Sequence, residues 1–203
     1  MTLSDKAREL AELERVAAAC TACELCEHRT KVVFGSGSPD ARIMFVGEAP
    51  GYNEDVQGEP FVGAAGKLLD ELLQETVDVK REDVYIGNVI KCRPPDNRDP
   101  SPHEIETCKP FLLKQIEIIS PQVICTLGNF ATRTLTGRRE GISKLRRRPI
   151  RLEERFVFPM YHPAAALHRG DLYDDVRKDF EALRNFLDSP PEIAPEPSQM
   201  ELF

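Results

Sequence analysis

Six cysteines stand in this chain of 203 residues, and five of them fall into two groups. Cys20, Cys23 and Cys26 follow one another at three-residue steps, and Cys92 and Cys108 are separated by fifteen residues. Cys20 with Cys23 and Cys92 with Cys108 make two pairs, each at a loop–helix junction where backbone can fold around a metal. Four thiolates suit either zinc or an iron–sulfur cluster, and spacing alone does not choose between them. Cys26 competes with Cys23 for a place, and small buried thiols are the plain alternative. Cys125 lies inside an apolar strand and belongs to the core. A second constellation is acidic. Between Gly47 and Gly63 a loop rich in Gly and Pro carries Glu48, Glu54 and Asp55 together with Phe61, whose position follows neither a helical nor a strand period. Two further residues close strands: Asn88 ends one, and His162 stands before Pro163 at the end of another.

The elements that must position these groups alternate between strand and helix. Residues 4–19 place Leu10, Ala11, Leu13, Val16 and Ala17 at helical spacing. Ile43 to Val46 reads as a buried strand that breaks at Gly47-Glu48-Ala49-Pro50-Gly51, and a helix follows from Ala64 to Val77. Val84 to Val89 is a second strand, and the proline-rich segment from Lys91 to Pro100 is too broken for regular structure. Ser101 with Pro102 and Glu104 has the form of a helix cap, opening a helix that carries Cys108 to about Ser120. Gln122 to Leu127 is a third strand, followed by a short helix to about Thr136; residues 138–151 form a loop. Arg155 to Tyr161 is the fourth strand, and a last helix runs from Tyr173 to Leu187. Strands alternating with helices predict an α/β fold with a parallel sheet covered on both faces. A buried strand running into a Gly/Pro loop at a helix entry is where such sheets place ligands.

Composition bounds the rest. A chain of this length with 41% hydrophobic residues can build a full core. No apolar run approaches the ~18 residues of a membrane span. The charged, amphipathic start MTLSDKARELAELERV is not a signal peptide, so the protein is read as intracellular, without a membrane partner. A net charge of −7 argues mildly against nucleic acid. Distribution matters more than the sum, and residues 138–151 hold Arg138, Arg139, Lys144, Arg146, Arg147, Arg148 and Arg151 against Glu140 alone. Residues 189–203 contain four prolines and no basic residue, the composition of a flexible tail, which leaves 1–188 as a single domain.

Taken together, GEAPG…ED…PFVG, NVIKCRPP and HPAA, with C-x2-C ahead and C-x15-C within, resemble the type-4 (family 4) uracil-DNA glycosylases from about Val16 to Leu187. The resemblance implies a three-layer α/β/α sandwich around a central four-stranded parallel sheet. It implies a 4Fe-4S cluster on Cys20, Cys23, Cys92 and Cys108, and excision of uracil from DNA in base excision repair by a monomeric, cytoplasmic, nucleoid-associated prokaryotic enzyme. Uracil inside a duplex must be flipped into a pocket. Phe61 would stack on the extruded ring, and Gly47 and Ala49 would bind substrate as part of the Gly47–Gly51 turn, whose backbone amides would assist at the departing anion. The Asn88 amide would satisfy an acceptor and a donor of the pyrimidine edge and reject cytosine, which reverses them. His162 would donate a hydrogen bond to O2 of the departing anion. Family 1 uracil glycosylases carry Asp where this chain has Ala49, so either a carboxylate here holds the water, Glu48 first and Glu54 or Asp55 after it, or DNA phosphates and the pocket stabilise the oxocarbenium-like state. Leu167 would wedge into the gap left by the flipped base, with Arg169 and Arg146 on phosphates; a helix-start leucine packed in the core is the other reading. The alternative function is a uracil-DNA-binding relative that acts covalently or without catalysis. The covalent form needs an Arg/His-rich insert where this chain has CRPPDNRDPSPH. Gln199-Met200-Glu201-Leu202-Phe203 resembles the short peptide that docks on DNA sliding clamps.

Overall fold

The strands form where apolar residues run unbroken, and in the computed structural model, which describes residues 2–191, they assemble into one six-stranded sheet. In chain order the strands are β1 (Ser36–Gly37), β2 (Ile43–Gly47), β3 (Tyr85–Asn88), β4 (Val123–Leu127), β5 (Ile150–Leu152) and β6 (Arg155–Met160). The helices are α1 (Leu3–Ala18), α2 (Tyr52–Gln57), α3 (Ala64–Leu72), α4 (Pro102–Ile119), α5 (Asn129–Thr136), α6 (Ile142–Leu145), α7 (Ala164–His168) and α8 (Tyr173–Asp188). The spatial order is β1-β3-β2-β4-β6-β5. The four central strands run parallel, as expected, while β1 and β5 add short antiparallel edges. Edges of two and three residues leave little unpaired backbone for another chain to join.

β2 and β4 are buried along their whole length, as parallel strands covered on both faces must be. Alternate residues serve opposite layers. Ile43, Phe45, Cys125 and Leu127 pack with α3 and α8 through Leu69, Leu72, Phe180 and Leu183. Met44, Val46 and Ile124 face α1 and α4 through Leu10, Leu112 and Ile116. Cys125 is thus a core residue, fully buried.

Several elements depart from expectation. Glu54 and Asp55 sit in the short helix α2 rather than in a loop. The helix after Gly63 is α-helical only to Leu72 and continues to Val77 as one π turn. The basic segment 138–151 contains α6 and β5. The cap at Ser101 forms as expected: its side chain accepts from the Glu104 N–H while the Glu104 carboxylate accepts from the Ser101 N–H.

Candidate active site

The carboxyl ends of β2, β3 and β6 open into one cleft of about 540 Å³. Glu48, Ala49, Glu54, Phe61, Asn88 and His162 all line it, so residues spread over more than a hundred positions converge on a single concavity. Such clefts at the carboxyl edge of a parallel sheet are the usual ligand sites of this architecture. Register explains the floor. Gly47 of β2 pairs with Asn88 of β3. A Cβ on Gly47 would fall 2.4 Å from Asn88 Oδ1 and 2.8 Å from Phe61 Cζ. Gly47 therefore lies beneath the cleft, and its missing side chain lets the amide and the ring approach each other. Asn88 is 3% exposed, and its side-chain amide makes no hydrogen bond among the described residues. Both of its polar atoms stay available to a ligand.

Phe61 has a backbone φ of 53°, a left-handed conformation that a bulky residue adopts only under constraint. Three groups supply the constraint. Glu54 Oε1 accepts from the N–H groups of Val62 (3.0 Å) and Gly63 (2.9 Å). Arg81, held by Asp70 at 2.8 Å, donates to the carbonyls of Pro60 (2.6 Å) and Phe61 (3.3 Å). Gly66 lets α3 press against the Phe61 carbonyl, where a Cβ would lie 1.7 Å from the oxygen. Asp55, 2% exposed, likewise pins backbone, accepting from the Thr30 and Lys31 N–H groups. Of the three carboxylates in this stretch, Glu54 and Asp55 are engaged in holding backbone. Glu48 makes no hydrogen bond through its side chain among the described residues.

Two groups in the cleft have displaced protonation equilibria. Burial, reinforced by the nearby Asp99 carboxylate, pushes Glu48 up to about 7. Burial pushes His162 down to about 4, with the Glu54 carboxylate opposing and His168 assisting the shift. His162 is therefore neutral near pH 7. Its Nδ1 accepts from the Ala164 N–H at 3.1 Å, which assigns the ring proton to Nε2. The His162 ring stacks on Phe61, centroids 5.3 Å apart and planes 23° apart, which fixes its orientation. The result is a neutral N–H donor and a carboxylate poised near neutrality in the same cleft.

The residues expected to meet DNA are dispersed. Leu167, on α7, is 50% exposed beside the cleft, not packed in the core. Arg169 is exposed and paired with Asp171 at 2.8 Å. Arg146 is turned inward, only 8% exposed, and this corrects its assignment as a phosphate contact. Its guanidinium binds the Asp179 carboxylate at 2.7 Å and Asp175 at 3.0 Å, donates to the Asp175 carbonyl, and covers the Tyr161 ring at 4.4 Å. Asp179 is fully buried, and Arg146 is its nearer cation, with Arg147 Nε at 3.5 Å and the Tyr161 N–H donating at 2.9 Å. Lys144 and Arg148 of the same segment remain exposed.

On the far side of β3, Cys20, Cys23, Cys26, Cys92 and Cys108 line one cavity of about 20 Å³. All are free thiols, and among the described residues no group of three or more His, Cys, Asp or Glu side chains is arranged to hold a metal ion. Burial raises Cys23 and Cys92 and pushes Cys108 up to about 11, so each favours the neutral thiol when alone. Two cations and no carboxylate line this cavity. Arg29 donates to Cys92 Sγ at 3.3 Å, and the Lys91 N–H donates to Cys108 Sγ at 3.2 Å. That donor set and charge fit an anionic, thiolate-ligated metal group, since bound metal deprotonates its thiols and the cations offset the charge left over. The fully buried Lys91 is pushed down to about 8 by desolvation, with Cys108 opposing. Reasoning from sequence missed Arg81, Gly66, Lys91 and Asp179. Only Gly66, a glycine inside a helical pattern, carried a local signal of close approach.

A family model described as the uracil DNA glycosylase superfamily matches residues 34–187. A protein of Thermotoga maritima named type-4 uracil-DNA glycosylase is 49% identical over 172 residues, covering 83% of this chain and 89% of that protein. One of the same name from Sulfurisphaera tokodaii is 44% identical over 189 residues, covering 89% of this chain and 86% of that protein. Another from Archaeoglobus fulgidus is 44% identical over 182 residues, covering 86% and 91%.

Proposed function

The chain belongs to the uracil-DNA glycosylase superfamily, and from that premise we propose that it hydrolyses the N-glycosidic bond of uracil in DNA, leaving an abasic site. The observation that carries this reading is the convergence of Phe61, Asn88, His162 and Glu48 on one cleft with the protonation states hydrolysis requires. Water attacks C1′ of the deoxyribose as the C1′–N1 bond breaks, the proton of the water passes to the Glu48 carboxylate, and uracil leaves as an anion. A carboxyl group with a pKa of about 7 is matched to that proton transfer. The neutral His162 donates Nε2–H to uracil O2, where negative charge grows, and being fixed beforehand it needs no reorganisation at the moment of reaction. Asn88 reads the pyrimidine edge, Phe61 stacks on the ring, Gly47 lets those two approach from beneath, and Ala49 lines the cleft. Glu54 acts on the loop that holds Phe61 and on the His162 field rather than on water.

Cys20, Cys23, Cys92 and Cys108 hold a 4Fe-4S cluster in this proposal, with Cys26 adjacent. Held by these four residues, such a group would link the segment after α1 to the segment after β3 and to α4 itself. Uracil-containing DNA is the substrate, Leu167 the wedge, and Arg169 a phosphate contact. Among the described residues no helix is long and apolar enough to cross a membrane. The enzyme works as a monomer in the cytoplasm, on the nucleoid, with residues 1–188 as one domain. The segment Gln199–Phe203, outside the described residues, presents the clamp-docking peptide.

The test is incubation with a 5′-labelled oligonucleotide containing one uracil, followed by alkali and a denaturing gel. Strand cleavage only after alkali is the expected result. Intact DNA, or a slow-migrating protein adduct, would overturn the reading. A brown protein absorbing in the visible blue is expected for the cluster, and a colourless zinc-loaded protein would remove it.

A further inference from the structure

We propose that Lys91 is a positioning residue for base recognition: its buried ammonium fixes the end of β3, and with it Asn88, and ties that strand end to the cysteine cavity. The inference rests on the reading of Asn88 as the group that meets uracil. Peptide groups along a strand alternate in direction. Val89 N–H donates to the Gly47 carbonyl on the β2 side (2.9 Å), so the Asn88 carbonyl faces the other way, toward β1. β1, however, is only two residues long and pairs no further along β3 than Ile86. The strand that positions the candidate base-reading amide therefore ends with a carbonyl that no neighbouring strand covers.

Lys91 supplies what the missing strand would. Its side chain turns back three residues, and Nζ donates to the Asn88 carbonyl at 2.9 Å. A second donor reaches Gln115 Oε1 at 2.6 Å, and the ammonium lies 5.9 Å from the Phe34 ring centroid. Gln115 is itself locked, because its Nε2 donates to the Phe34 carbonyl (2.9 Å) and the Tyr85 hydroxyl (3.0 Å). Lys91 is 1% exposed, Gln115 is fully buried, and among the described residues Lys91 pairs with no carboxylate. Burying an ammonium costs several kcal/mol even when it is well hydrogen-bonded, so a lysine here is a poor device for stability alone. What it provides is a fixed geometry directly under Asn88.

The same residue faces the cysteines. The Lys91 backbone N–H donates to Cys108 Sγ, Cys92 is the next residue in the chain, and Lys91 lines the thiol cavity. Cys108 and Gln115 are seven residues apart on α4, two turns along one helical face. One helix face thus presents a thiol to the cavity and an amide to the lysine that holds the reading strand.

The experiment compares the purified, cysteine-site-loaded wild type with Lys91→Met, Asn88→Ala, and the double variant, measuring uracil excision, melting temperature and visible absorbance per protein. Lys91→Met is expected to lower kcat/KM about tenfold, chiefly through KM, because Asn88 contacts the base in ground and transition states alike. The double variant is expected to be no worse than Asn88→Ala alone, which a general structural defect would not produce. Losses that multiply in the double variant, a KM within twofold of wild type, or lost absorbance with an unchanged KM would each overturn the proposal. Should Lys91→Met fail to fold, Gln115→Leu removes the second anchor and leaves the ammonium, with the same rise in KM expected on a smaller scale. Crystal structures of wild type and variant, compared at the Asn88 amide, read the positioning without reference to substrate. An amide that has not moved refutes it even if the wild type proves inactive on uracil.

Discussion

Substituting Gly66 by Ala pits helix propensity against the seat of Phe61. Gly66 lies in the first turn of α3, where alanine would favour the helix by about 1 kcal/mol. The new Cβ, however, would lie 1.7 Å from the Phe61 carbonyl oxygen and 2.2 Å from its carbon, where ordinary contact begins at 3.4 Å. Backbone is on the receiving side, so either α3 or the Phe61 segment must retreat by about 1.7 Å, a distance set by those two values. The Phe61 segment cannot yield freely, because Arg81 holds two of its carbonyls and Glu54 two of its N–H groups. Overpacking of this kind costs about 1–3 kcal/mol, which outweighs the propensity gain. A stacking ring displaced by more than an ångström should lower kcat/KM about 100-fold, while the melting temperature falls by only a few degrees. Single-turnover excision on a labelled uracil oligonucleotide, with a parallel thermal melt, reads both. Gly141→Ala, whose Cβ meets nothing nearer than Ser143 Oγ at 3.8 Å, is the matched control. Activity of Gly66→Ala within threefold of wild type would refute the claim that this contact positions Phe61.

Three further outcomes follow from the electrostatics. As the proposed base, Glu48 would act only when ionised, so kcat/KM should rise with pH through about 7 and level off above it, while His162, at about 4, stays neutral over that limb. Asp99→Asn removes a like charge and should move that limb to lower pH; a profile flat from pH 5 to 9 would remove Glu48 as the base. Arg146→Met removes the nearer guanidinium from the buried Asp179, leaving Arg147 Nε at 3.5 Å and the Tyr161 N–H at 2.9 Å, and should cost about 3 kcal/mol, a melting shift of roughly 10 °C, with the salt dependence of DNA binding unchanged. If the slope of log K against log salt instead falls by about one, Arg146 returns to the DNA-contact set.

What could be read from this chain in advance was written in local signals. Buried apolar runs at Ile43–Val46 and Gln122–Leu127 announced central strands, and the Gly/Pro break after Val46 announced the cleft. The cap at Ser101 could be read from Ser, Pro and Glu alone. α2 was missed because its polar sequence offers no apolar period, and β1 and β5 because two or three residues offer no period of any kind. Arg146 was misplaced for a different reason. A run of basic residues reads as a solvated face, and nothing nearby reveals that Asp179, thirty-three positions on, needs a cation in the core. Glu54 and Asp55 looked like catalytic carboxylates until the backbone donors they bind could be seen.

A sheet that stops short on one flank has a consequence for how the mouth of the cleft can be reshaped. The strand carrying Asn88 sits one place from the boundary, with a two-residue neighbour that never reaches its tip. Its tip is therefore steered by whatever side chains lie underneath. With Asn88 as the proposed base-reading group, substitutions at Phe34, Lys91 or Gln115 would change selectivity while leaving the residues that line the cleft as they were.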